Sequence, residues 1–156
     1  MKVAFGCDHA GFPLKETVLA AVRAAGHEPI DFGTFSAEDV DFPDFTVKVG
    51  NAIQNGEAER GILLCGSGIG ACIAANKMKG IYASICHDTY SAAQGVMHDA
   101  MNVLCLGGRV IGPELANMLV IAFLNARYLG NDKGGERFAR RVAKIHRIED
   151  VGKLEG

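Results

Sequence analysis

Ile62-Leu63-Leu64-Cys65-Gly66-Ser67-Gly68-Ile69-Gly70 sets an apolar run directly against a glycine-rich turn. The run reads as a buried parallel strand with a thiol at its end. Ala71-Cys72-Ile73-Ala74-Ala75-Asn76-Lys77 follows with good helix composition. A turn of this kind lets backbone N–H groups converge where the helix dipole adds positive potential. That spot suits an anion, whether a bound phosphate or an oxyanion formed during a reaction. Cys65 sits beside it, where the thiolate form is favoured, and marks a candidate catalytic centre.

The same alternation extends both ways along the chain. Val3 to Cys7 reads as a strand and Pro13 to Ala25 as a helix stopped by Gly26. Pro29 to Phe32 is a second strand, and Pro43 to Gln54 a helix with Asp41 near its start. Gly61 to Cys65 is the third strand and Gly70 to Lys79 the third helix. Ile81 to Cys86, a helix from Thr89 to His98, and Val103 to Leu106 continue the pattern. Pro113 to Arg127 is the longest apolar helix. A basic helix, Glu136 to Ile148, follows the flexible loop Gly130-Asn131-Asp132-Lys133-Gly134-Gly135. The expected fold is α/β: a doubly wound, parallel five-stranded sheet in a Rossmann-like three-layer sandwich, with residues 1–156 as one domain. Ligands of such sheets bind outside the carboxyl ends of the strands. The polar residues at those ends are Asp8-His9, Cys65-Gly66-Ser67, His87-Asp88 and Gly107-Gly108-Arg109.

A formal net charge of −2 argues against a general nucleic-acid binder. Met1-Lys2 runs straight into Val3-Ala4-Phe5 with no signal-peptide pattern. The longest apolar stretch, Met118 to Leu124, is far short of the ~20 residues that cross a bilayer. A soluble, cytoplasmic protein is expected. Cys7, Cys65, Cys72, Cys86 and Cys105 include no C-x-x-C pair, and their odd number points to thiols rather than a disulfide framework. Cys7, Cys86 and Cys105 fall in or at the ends of apolar runs, where a small core residue is the expected role. Cys7, His9, Cys65 and His87 come from neighbouring strand ends and could gather a soft metal, but nothing in their spacing requires one. No metal is expected.

Two other readings of the glycine turn stay open. Gly66, Gly68 and Ala71 satisfy the dinucleotide fingerprint, with Asp88 at about the ~20-residue distance of a ribose-binding acid. The pattern lies midway along the chain, however, and leaves too little sequence for a dinucleotide half plus a substrate domain. The absence of Gly-Lys-Ser/Thr excludes a P-loop. A purely structural turn also needs glycine.

Asp8 and His9 form a titratable pair able to pass a proton to or from a hydroxyl. The plain alternative is an Asp capping the next loop beside a solvated His. His98, at a helix end before Asp99, is either a dipole partner or an acid–base group. Arg137 and Arg141 share a helix face at i, i+4, with Lys144 following and Phe138, Val142 and Ile145 as the buried stripe. Such a face is either solvated or a phosphate clamp, with Arg109 a third candidate. The helix from Pro113 carries Leu115, Met118, Leu119, Val120, Ile121, Phe123 and Leu124, which predicts surplus apolar surface covered by a second copy. Together the parts describe a cofactor-free proton-transfer enzyme for a small anionic substrate.

The sequence resembles the ribose 5-phosphate isomerase B family, which groups with allose-6-phosphate and galactose-6-phosphate isomerase subunits. The match is carried by Ala4-Phe5-Gly6-Cys7-Asp8-His9-Ala10-Gly11, Ile30-Asp31-Phe32-Gly33-Thr34, Cys65-Gly66-Ser67-Gly68-Ile69-Gly70, Ala74-Ala75-Asn76-Lys77 and Asn102-Val103-Leu104-Cys105-Leu106-Gly107-Gly108-Arg109. The resemblance implies that Cys65 moves a proton between C1 and C2 of the sugar. Ser67, where Thr is common, would assist proton movement between the oxygens. Amides across Gly66, Gly68, Ile69 and Gly70 would stabilise the enediolate. His98 with Asp8 would open the furanose ring. His9, Arg109, Arg137 and Arg141 would bind phosphate or line its pocket.

The resemblance also implies a homodimer with the site between subunits, possible assembly to a tetramer, and no metal or cofactor. Relatives that lack the cysteine carry a glutamate where this chain has Ala71, so Cys65 has no competitor. Asp99 replaces the commoner Asn, and Phe42 replaces the commoner Tyr; both departures bear on which sugar is preferred. The resemblance implies an aldose–ketose isomerase that interconverts ribose 5-phosphate and ribulose 5-phosphate. A hexose 6-phosphate is the first alternative, and a non-catalytic nucleotide-binding module the second.

Overall fold

The computed structural model describes residues 1–153. Its strands are β1 (Lys2–Cys7), β2 (Glu28–Asp31), β3 (Arg60–Cys65), β4 (Ala83–Ile85) and β5 (Val103–Gly107). Its helices are α1 (Lys15–Ala24), α2 (Phe42–Gln54), α3 (Ile69–Ala75), α4 (Thr89–Asp99), α5 (Pro113–Asn125) and α6 (Glu136–Val151). The strands form one parallel sheet in the order β2-β1-β3-β5-β4.

That order fixes the layers. Parallel crossovers keep one hand, so a connection moving one way across the sheet lies on the opposite face from one moving back. β1 to β2 and β4 to β5 move one way; β2 to β3 and β3 to β4 move the other. Accordingly, Val18 and Leu19 of α1 and Ala92 and Val96 of α4 pack on one face, joined by Leu119, Val120 and Phe123 of α5. Val49 and Ala52 of α2 and Ala71 and Ala75 of α3 pack on the other. Fully buried side chains such as Phe5 and Phe123 each stabilise the sandwich by about 1.5–3 kcal/mol. No helix among the described residues is long and apolar enough to cross a membrane.

The element order is as the sequence predicts, and several boundaries differ. A single 3₁₀ turn, Phe12–Leu14, precedes α1. β2 runs from Glu28 to Asp31 rather than Pro29 to Phe32. α3 stops at Ala75 rather than Lys79, because the Asn76 side chain donates to the Cys72 and Ala83 carbonyls and accepts from the Ala83 amide. β4 is correspondingly short: the Tyr82 amide donates to the Asn102 side chain instead of a strand partner. α5 ends at Asn125, where the Arg60 guanidinium donates to the carbonyls of Phe123, Leu124 and Ala126. α4 includes Asp99, and α6 continues to Val151.

The apolar surplus expected on α5 is small. The helix packs against both α1 and α4, and of its large apolar side chains only Met118 and Ile121 are classed as exposed. Other exposed apolar residues lie elsewhere, among them Phe35, Tyr90, Ile69 and Ile73 one turn apart on α3, and Val110 just past β5.

Candidate active site

The helices that follow β1 and β3 leave on opposite faces, which opens a crevice between two adjacent strand ends. A cleft of about 440 Å³ occupies that position, lined by Asp8, His9, Ala10, Phe42, Cys65, Gly66, Ser67, Gly70, Arg109 and Val110.

Register decides which thiol reaches it. Cys7 pairs with Leu64, one position before Cys65, which pairs with Gly107. Side chains alternate between faces along a strand. Cys7 therefore joins the α1 side of the core, while Cys65 joins the α2–α3 side, beneath the start of α3. Burial pushes the Cys7 thiol up to about 12 and keeps it protonated. Cys65 Sγ accepts a hydrogen bond from the Gly68 amide at 3.1 Å.

The turn from Cys65 into α3 requires glycine at positions 68 and 70. Gly68 has φ +83°, and a Cβ there would lie 3.2 Å from the Leu106 carbonyl carbon. A Cβ on Gly70 would meet the Phe42 ring at 2.6 Å. Ser67 Oγ accepts from the Ile69 amide at 3.3 Å, which leaves its hydroxyl proton available to donate. On the β5 side, the Gly108 amide donates to Cys65 O at 2.7 Å and the Arg109 amide to Gly66 O at 3.0 Å. These bonds lay the β5 turn on the glycine loop and bring Arg109 to the cleft.

The end of β1 carries the Asp8-His9 pair. Asp8 is buried and caps its loop, accepting from the Gly11 amide at 2.9 Å, and it also lines the cleft. His9 Nδ1 accepts from the Val40 amide at 3.2 Å, with its Nε2 3.5 Å from Asp39. Asp88 is a helix cap: its carboxylate accepts from the Ser91 amide at 2.7 Å, which holds it below the usual carboxylate range. That role leaves the dinucleotide reading without its acid. His87 Nε2 accepts from the Gly107 amide at 3.1 Å. Among the described residues, no group of three or more His, Cys, Asp or Glu side chains is arranged to hold a metal.

Within one chain, His98, Asp99, Arg137 and Arg141 do not line the Cys65 cleft. His98 stacks on Phe138 of α6, centroids 4.1 Å apart, and its Nδ1 contacts Gln94 Nε2 at 2.8 Å. Arg137 lies over the same Phe138 ring at 4.5 Å, and Arg141 is exposed. Asp99 lines a separate hollow of about 480 Å³ with Asn76, Tyr82, Gln94 and Ile145.

The sequence reading missed Gln94, although its i, i+4 spacing to His98 on a predicted helix was the available signal. It also missed the fastening of α6, where Glu149 accepts from the Gly80 amide and the Tyr82 hydroxyl at 2.9 and 3.2 Å. That contact spans 67 residues or more and leaves no local mark.

Comparison with known proteins adds independent information. A family model described as Ribose/Galactose Isomerase matches residues 3–145. The chain is 47% identical to ribose-5-phosphate isomerase B of Escherichia coli, over 95% of this chain and 96% of the relative. It is 42% identical to a D-erythrulose-4-phosphate isomerase of Pectobacterium atrosepticum, over 93% of each chain. The solved ribose-5-phosphate isomerase B of Clostridium thermocellum superimposes with a TM-score of 0.90 at 43% identity, covering 98% of this chain and 100% of that one.

Proposed function

The chain belongs to the ribose/galactose isomerase family and is a sugar-phosphate aldose–ketose isomerase, and on that premise we propose that it interconverts ribose 5-phosphate and ribulose 5-phosphate with Cys65 as the base. The observation that carries the proposal is the Cys65 thiol, held by the Gly68 amide in a cleft that also contains Asp8, Ser67 and Arg109.

Asp8 accepts the O1 proton of the furanose while His98 protonates the ring oxygen, which frees the aldehyde. The Cys65 thiolate then removes the C2 proton. Negative charge develops on O1, within reach of the loop amides, where fixed donors act most strongly. The Ser67 hydroxyl passes a proton between O1 and O2, and the Cys65 thiol returns its proton to C1 to give the ketose. His9, Arg109, Arg137 and Arg141 anchor the phosphate, away from the reacting carbons.

Because His98, Asp99, Arg137 and Arg141 sit outside the cleft of their own chain, the working enzyme is a homodimer in which a partner's α4–α6 face closes each cleft. Exposed Ile69, Ile73 and Val110 near the cleft provide apolar surface for that contact. Residues 1–156 act as one isomerase domain in this reading, and an odd number of cysteines with no C-x-x-C pair supports a reducing, cytoplasmic setting.

A panel of four-, five- and six-carbon aldose phosphates tests the assignment. The expected result is highest kcat/KM with ribose 5-phosphate. Preference for a hexose 6-phosphate or for D-erythrose 4-phosphate overturns the substrate, and turnover that survives Cys65→Ala overturns the base.

A further inference from the structure

We infer that Gln94 is a positioning residue that fixes the tautomer of His98, with Phe138 of α6 holding the plane of the imidazole. The inference rests on the proposed ring-opening role of His98 and extends it to residues with no assigned part.

Gln94 and His98 lie one turn apart on α4, so their side chains meet on one face. The contact runs from Gln94 Nε2 to His98 Nδ1 at 2.8 Å. A carboxamide nitrogen only donates. His98 Nδ1 must therefore accept, and the proton of the neutral ring sits on Nε2. Opening a furanose needs a donor to the ring oxygen, and the Nε2–H tautomer supplies one without the ring first becoming cationic. The other tautomer would present a bare nitrogen at Nε2.

The stack on Phe138 completes the constraint. At 4.1 Å between centroids and 13° between planes, it leaves the imidazole little rotation about its last bond. Phe138 is buried and also lies under Arg137, so one aromatic ring ties the proposed acid to the proposed phosphate clamp.

The test combines nitrogen-15 NMR of the histidines with kinetics, using Gln94→Glu, Gln94→Met and His98→Asn. The last variant assigns the His98 signals by their disappearance. In the wild-type protein the neutral His98 ring is expected to carry its proton on Nε2. A carboxylate at position 94 accepts rather than donates, so Gln94→Glu should move that proton to Nδ1. Gln94→Met, with the length but no donor, should give a mixture of tautomers. Both variants should lower kcat for ribose 5-phosphate about 10- to 100-fold, the scale of losing an orienting partner, with a smaller change in KM. A wild-type His98 protonated on Nδ1, or Gln94 variants with wild-type kcat, overturns the inference. If His98→Asn itself keeps full turnover, the ring-opening role fails, and the tautomer measurement still decides whether Gln94 orients the ring.

Discussion

The strand-end cleft and the α4–α6 face hold the two parts of the proposed site, and they are built by opposite means. At the cleft, most of the work is done by backbone. The Gly68 amide holds the Cys65 sulfur, the Gly108 and Arg109 amides close the rim, and the Gly11 amide caps Asp8. On the α4–α6 face the contacts are between side chains: Gln94 with His98, His98 with Phe138, and Phe138 with Arg137. Backbone geometry at the ends of paired strands is set by register, so the first part is complete within one chain. The second consists of groups on helix surfaces, whose function depends on what faces them.

The largest effect should come from the cleft. Cys65→Ala should lower kcat by ~10²–10⁴-fold, the usual loss for a general base, while the thermal midpoint changes little. Iodoacetamide should inactivate the wild-type enzyme, with substrate protecting Cys65. An alanine variant with full turnover would place the base elsewhere.

Mixing the two parts tests whether they come from different subunits. Cys65→Ala and His98→Asn dimers, each impaired, should recover about a quarter of wild-type activity after joint unfolding and refolding, since two-fold pairing leaves one intact site in each mixed dimer. No recovery, with mixed dimers demonstrated by mass spectrometry, would mean that both parts act within one chain.

The arginines should give a smaller and different loss. Arg137→Ala and Arg141→Ala should each raise KM about 10- to 100-fold with less change in kcat, as expected when a charge-assisted contact of ~1.5–3 kcal/mol serves ground and transition states alike. Normal binding in both variants would make that face merely solvated.

Gly68→Ala probes the backbone directly. Its left-handed φ and the approach to Leu106 should cost about 1–2 kcal/mol of stability, measured by urea unfolding, and should weaken the amide contact to Cys65. Unaltered stability would show that the loop relaxes freely.

The smallest effect concerns the other thiols. A hydrogen bond with Cys105, helped by Ile85 and Asn76, lowers Cys72 to about 7, whereas burial raises Cys7 to about 12. In the Cys65→Ala background, iodoacetamide labelling of Cys72 should rise as the pH passes from about 6 to 8, because the thiolate fraction grows there. Cys7 should stay unlabelled. Equal labelling of both, read by peptide mass spectrometry, would contradict the burial difference.

The linear sequence determined much of this protein. The alternation of apolar runs and helices specifies a parallel α/β sheet, because each run can be buried on both faces only with helices around it. Cys65 beside Gly66, Gly68 and Gly70 identifies the cleft, because that chemistry lies within one turn of chain. Boundaries set by distant partners were not legible: α5 ends where Arg60 takes its last carbonyls, and α3 where Asn76 reaches Ala83. Only the tertiary structure could send Cys7 and Cys65 to opposite faces of the sheet, since that depends on strand register and not on either residue's neighbours. It alone separates His98, Asp99, Arg137 and Arg141 from the cleft, and it alone brings Phe138 of one helix onto His98 of another. Local spacing encodes which groups share a turn; packing across the chain decides which groups meet.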